Sequence, residues 1–311
     1  MTGSRALSRS IATSVLVLGG LIPVACGEVA DDIRATEAAE KLGFGVEVPC
    51  DINLYQQRRM TGAFLQRPVG TAGGVPLYVS GKAVARGDAG PLPRNLVIEG
   101  KTIRGLTPAE EGGAARLEGT RRAVARPIPG LGSGDRLPQA YWLGYRLEGV
   151  DYDGPLVVGM SPTATEIPMA GEAVMTGPLH VTFAPTGGAV TTARGRFSLV
   201  IGHGTGRAAF TASDFVVDSG PPLPFARMSW TRLGVCAPRV VSSGQGRVGF
   251  TDAAGMRVPI LPTAAEPAAR LSFESSQFAG AARPGPPGAV GGIFAVQGNA
   301  ANLEGVFVSQ P

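Results

Sequence analysis

At 311 residues the chain is long enough for one large domain or two modest ones. With 44% hydrophobic and 17% charged residues it is globular rather than disordered. Aromatics at 6% argue against a lipid-facing barrel, which needs aromatic girdles. The net charge of +4 is carried by arginine, since of 28 basic residues only Lys41, Lys82 and Lys101 are lysine, leaving 25 arginines. No basic cluster is interleaved with aromatics, and Arg104 to Arg126 is only loosely basic. The charge therefore reads as a solvated surface, and nucleic acid is not an expected partner.

Residues 1–25 have the order of a secretory signal peptide. Arg5 and Arg9 form the charged region, Ile11 to Val24 is apolar but broken by Gly19, Gly20 and Pro23, and small residues follow. Cys26 sits between Ala25 and Gly27. That resembles a bacterial lipobox, whose cysteine is alkylated by diacylglycerol and becomes the mature N-terminus, although Pro23 stands where leucine is preferred. Ordinary signal cleavage is the alternative. Acyl chains on Cys26 would tether the protein to a membrane, each buried methylene contributing about 0.8 kcal/mol. Without Cys26 the chain keeps Cys50 and Cys236. An even remainder in an oxidising compartment predicts one disulfide, Cys50–Cys236; two buried thiols is the alternative. No Cys-x-x-Cys pair supports a redox or zinc site.

Residues 26–44 are expected to form a lipid-anchored tether, with Glu28 to Leu42 either extended or a short amphipathic helix. Residues 45–165 read as a β-rich, or α+β, handle-like subdomain. Its expected strands are Gly45–Val48, Gly62–Leu65, Val75–Val79, Asn95–Ile98, Tyr141–Leu147 and Leu156–Gly159. Pro108 to Gln139 reads as mixed and loop-rich, and Asp151 to Gly154 as a turn.

From residue 166 the pattern is cleaner. Eight candidate strands follow at even spacing: Glu172–Ala184, Val190–Gly202, Gly206–Val217, Phe225–Leu233, Arg239–Phe250, Arg270–Gly280, Gly291–Val296 and Leu303–Val308. Pro185–Gly188 and Gly202–Thr205 are hairpin turns. Alternation puts Ile293 and Ala295 on one face and Phe294 and Val296 on the other, while Leu303, Gly305 and Phe307 share a face. The glycine pair Gly291–Gly292 marks a bend or a close backbone approach. The expected fold is mainly β, with an antiparallel barrel of about eight strands in the C-terminal half, closed to remove its edges and filled by side chains.

The series Phe278-Ala279-Gly280, Gly291-Gly292-Ile293-Phe294 and Gly305-Val306-Phe307 resembles the end of the β-barrel domain of transferrin-binding protein B-like surface lipoproteins. Pro168 to Gly177 is similar to the opening of such a barrel, with Met175 where tyrosine is usual. Two features depart from the pattern: Ser276 replaces a glycine, and Val290 stands where an acidic residue precedes the glycine pair. The resemblance covers roughly the C-terminal half. It implies a surface lipoprotein that captures an iron source, host protein or small solute and passes it to an outer-membrane transporter. A single lobe of this size leaves the ligand open.

Catalytic and metal-binding patterns are sparse. Only His180 and His203 are available; His180 alternates within a strand and His203 lies in a glycine-flanked turn, neither with a carboxylate or thiol at ligand spacing. Ser161 lacks the second glycine of a nucleophile elbow. Gly130 to Gly134 lacks the Lys-Ser/Thr of a phosphate loop. Asp151 and Asp153 lack the further oxygens of a Ca²⁺ loop. No cofactor, metal or catalytic residue is assigned. Tyr141, Trp142, Tyr145 and Tyr152 form the densest aromatic cluster, and are either binding anchors or the seal between the two halves. The stiff loops Gly220–Pro224 and Pro284–Gly288 either present a contact surface or simply connect strands. The expected protein is an exported, lipid-anchored, non-catalytic binding protein. A structural envelope lipoprotein is the alternative, followed by a secreted enzyme; a flat, charged barrel face without exposed aromatics would favour the second.

Overall fold

A computed structural model describes residues 60–69, 79–86, 95–98, 101–104, 123–132, 138–147, 149–236, 238–242, 247–260, 270–279, 287–298 and 300–309. The expected signal peptide and tether, Cys26, Cys50 and the expected strand Gly45–Val48 lie outside them.

Among the described residues sixteen strands make two sheets, and one 3-10 turn at Ala164–Glu166 lies between them in the chain. There is no α-helix among the described residues. The first sheet holds β1 (Met60–Pro68), β2 (Val79–Arg86), β3 (Asn95–Ile98), β4 (Lys101–Arg104), β5 (Ala123–Pro127), β6 (Gln139–Leu147) and β7 (Val150–Met160), in the order β4-β3-β2-β1-β7-β6-β5. Of the strand sought at Val75–Val79, residues 75–78 lie outside the described ones and Val79 opens β2. The loop-rich stretch Pro108 to Gln139 contains β5. One expectation fails here. Asp151 to Gly154 lies inside β7, and the reversal comes earlier, where Leu147 pairs with Val150 around Gly149 at φ +87°. Gly149 tolerates that left-handed backbone because it has no Cβ.

The second sheet holds β8 (Glu172–Pro185), β9 (Thr191–Gly202), β10 (Arg207–Ser219), β11 (Arg227–Cys236), β12 (Arg239–Val241), β13 (Arg247–Thr251), β14 (Arg270–Phe278), β15 (Ala289–Gln297) and β16 (Ala301–Val308). Pairings of β8 with β16 and of β10 with β11 close it into a barrel. β12 and β13 are one strand with an insertion. Thr231 and Gly234 are three residues apart on β11, while their partners Arg247 and Val241 are six apart, so the chain between β12 and β13 is three residues longer than continuous pairing needs. The barrel therefore has eight strands, matching the eight expected from the sequence.

Alternation explains the core. In β8 the buried positions Leu179, Val181 and Phe183 point inward and Pro178, His180 and Thr182 outward. Phe210 lies at the centre of the interior, with ring centroids 5.9 Å from Phe197, 5.3 Å from Phe273, 5.5 Å from Phe294 and 5.0 Å from Phe307. Trp230 packs edge-on to Phe273 at 5.4 Å. Gly305 leaves the space that the Phe294 ring occupies; a Cβ there would overlap the ring.

β15 is buried along its whole length because both faces are covered. Val290, Phe294 and Val296 enter the barrel core, and Ala289, Ile293 and Ala295 enter a second cluster with Ala63, Leu65, Ala140 and Val157 from the first sheet. Gly291 sits between the layers, where a Cβ would lie 2.6 Å from Val157 Cγ1. Gly291 thus serves a close approach of the neighbouring sheet and Gly292 a close approach within the barrel, where a Cβ would overlap Ser275 Cβ and lie 2.6 Å from the Glu274 carbonyl oxygen.

Candidate functional site

The interior offers no room for cargo where the aromatic cluster sits, since those rings touch one another across it. One end is stoppered by the proline-rich segment after β10. Gly220, at φ +91°, turns the chain over β9, Thr191 Oγ1 donates to the Pro221 carbonyl at 2.8 Å, and Phe225 drops inward against Phe183, Phe215 and Phe250.

The junction between the sheets concentrates the buried charge. Arg239 on β12 and Glu274 on β14 are 2% and 1% exposed, with Arg239 Nη2 2.6 Å and Nε 2.7 Å from Glu274 Oε1. At the far side of the junction Arg67 of β1 reaches Asp153 of β7 at 3.1 Å and Glu304 of β16 at 3.4 Å, with its guanidinium 5.8 Å from the centre of the Trp142 ring. Sequence reading missed all of these. The available signal was an ionisable residue inside a strand whose neighbours are apolar or small, such as Glu274 beside Phe273.

The aromatic cluster splits. Tyr141 and Tyr145 are buried, Tyr141 donates to Gln139 Oε1, and Tyr145 stacks on its cross-strand partner Tyr152 at 5.3 Å. Trp142 alone joins the junction, through Arg67. None of the four is an exposed anchor.

The remaining candidates stay apart. His180 projects from the outer wall of β8, opposite Arg194 of β9 and near the backbone of Pro129 in the turn after β5. Burial, above all, lowers its pKa; Arg194 adds to this, while Asp218 and the Pro129 backbone oppose it. Asp218 Oδ1 is itself 2.7 Å from Arg194 Nη2. His203 lies in the β9–β10 turn, its pKa lowered by burial. Ser161 is buried just after β7. Gly130 and Gly132, at φ +79° and +104°, shape a hydrogen-bonded turn that buries Leu131 in the junction, so this part of the segment is a structural turn and not a flexible loop. Asp151 is exposed and pairs with Arg146 at 3.7 Å, whereas Asp153 serves Arg67. No group of three or more His, Cys, Asp or Glu that could hold a metal occurs among the described residues. Cys236 is buried at the end of β11.

Accessible barrel positions among the described residues lie on the outer wall of β8, β9, β10, β11 and β13 and in the loops at the barrel ends. Exposed large apolar residues among the described ones are aliphatic, including Val174 at 59%, Val216 at 61% and Met256 at 67%.

No family profile and no curated protein matches the sequence. Among solved structures the chain is similar to the double-mutant vaccine antigen transferrin-binding protein B of Haemophilus parasuis Hp5, at 10% identity and TM-score 0.44 over 81% of this chain and 44% of that one. It is similar to intact Ap-TbpB with N and C lobes, at 11% identity and TM-score 0.45 over 81% and 46%. Isotype 1 transferrin-binding protein B from serogroup B Neisseria meningitidis gives 13% identity and TM-score 0.43 over 81% and 43%. The chain spans less than half the length of each.

Proposed function

We propose that the chain is a non-catalytic envelope lipoprotein that captures a macromolecular ligand on the outside of a solid scaffold. The barrel interior carries this reading. Rings from Phe197, Phe210, Phe273, Phe294 and Phe307 fill it, so a ligand must meet the wall or the rim, where a protein fits better than a small solute. The glycine–phenylalanine motifs at the C-terminal end support the surface-lipoprotein part of the reading and with it a host protein or protein-borne iron source, with hand-over to an outer-membrane transporter. Cys26 is the proposed lipidation site and Cys50–Cys236 the proposed bridge.

Intact mass of protein recovered from bacterial membranes, with and without reduction, tests the anchor. The expected product starts at Cys26, carries acyl chains and gains two protons on reduction. An unprocessed chain with free thiols overturns export. Immobilised full chain exposed to host fluid or growth medium then tests capture, and a retained protein is the expected result.

A second reading, a structural envelope lipoprotein without cargo, is favoured by one observation. Among the described residues the exposed wall carries no exposed aromatic side chain, and aromatics are the usual anchors of an interface. Failure to retain any protein, with the anchor in place, selects it.

A further inference from the structure

The barrel wall away from the first sheet has an uneven charge. β9, β10, β11 and β13 carry six arginines, Arg194, Arg196, Arg207, Arg227, Arg232 and Arg247, against two aspartates, Asp214 and Asp218. The difference of four equals the net charge of the entire chain, +4, so the rest of the molecule balances out. All six arginines are exposed. One aspartate, Asp218, is engaged by Arg194 at 2.7 Å, and Glu172 at the head of β8 is the acid of the adjoining strand.

Between the arginines the wall is low. Thr176, Ser198, Thr211, Ser229 and Gly249 are successive cross-strand neighbours and form one row across five strands. Arg196 flanks the row between Pro178 and Ser213, and Arg227 and Arg247 flank it on β11 and β13, opposite Thr251 and Thr231. A broad partner can therefore approach the sheet closely, meeting short hydroxyls in the middle and guanidinium forks at the sides.

We propose that this wall is a docking face for an acidic protein surface, which names the partner class of the binding protein proposed above and rests on that reading. Guanidinium groups pair with carboxylates in a planar two-bond geometry, and the hydroxyls supply further donors. A membrane surface fits less well, because interfacial binding draws on Trp and Tyr at the headgroup level and this wall exposes none. Four strands spaced about 4.8 Å apart and about six residues deep make a face of roughly 15 by 20 Å, suited to a weak, salt-sensitive encounter.

The test uses the full chain and labelled poly-L-glutamate as the carboxylate probe, at about 50 and 150 mM salt. Arg196→Gln with Arg227→Gln removes two charges from the wall. Arg126→Gln with Arg146→Gln removes two equally exposed charges from β5 and β6. The wall variant is expected to bind about tenfold more weakly with a shallower salt dependence, and the control to change less than about twofold. Equal losses, no binding by the full chain, or binding to phosphatidylglycerol vesicles with none to polyglutamate overturn the proposal. Single Arg196→Gln serves if the double variant melts early. The probe reports on the wall whether or not a cargo is captured from host fluid, so failure here is distinct from failure of the capture reading.

Discussion

Charge burial at single residues has been resolved here by pairing. Arg239 and Glu274 are both nearly inaccessible, so removing one strands the other in a low-dielectric junction. Glu274→Ala is expected to lower stability by about 3–5 kcal/mol, whereas Arg239→Met with Glu274→Leu costs far less, because no buried charge remains. Denaturant melts of the three proteins decide it, and equal losses would sink the argument. The histidines act in the opposite sense. Burial lowers the pKa of both His180 and His203, so the folded chain binds fewer protons than the unfolded one near their ordinary value of about 6.5. Their contribution is complete above that pH and is lost as pH falls through it. Tm is expected to be lower at about pH 5.5 than at about pH 7.5, and His180→Gln should narrow the gap. An unchanged gap would contradict this.

At the scale of elements, the barrel ends differ from its middle. Mid-barrel, cross-strand pairs close the ring; at the β10–β11 end that pairing stops at Ala212 opposite Met228. The rest of β10 bulges around Asp214, which has φ +56°, and carries charge at Asp218, features that blunt an open edge. Phe225 fills the gap that opens there, so Phe225→Ala should cost about 3–5 kcal/mol and raise amide exchange selectively in β10 and β11. Uniform exchange across the barrel would show that the plug is not local. The strand pattern of β8 to β10 was legible because alternation is strict where one face is core and the other solvent. β5 and most of β2 were not singled out because their sequences, Ala123–Pro127 and Val79–Arg86, mix Arg, Lys, Ala and Gly without a clear period.

For the whole molecule, β15 serves two cores at once, and Arg67 links β1 and β7 to β16. The two sheets should therefore unfold together. A single transition by calorimetry, with matching calorimetric and van't Hoff enthalpies, is expected, and two separated transitions would show that the junction is a weak contact.

The sequence by itself determined the strand rhythm of the C-terminal half, its inward faces and the poverty of catalytic groups, because period-two alternation and residue counts are local properties. Only the tertiary structure decided what lies beside what. It placed the first sheet over β15, drew Arg239 to Glu274 across 35 positions and gathered six arginines from four strands onto one wall. Each depends on register and closure between distant segments, and pairing of that kind leaves no mark in the spacing of neighbouring residues.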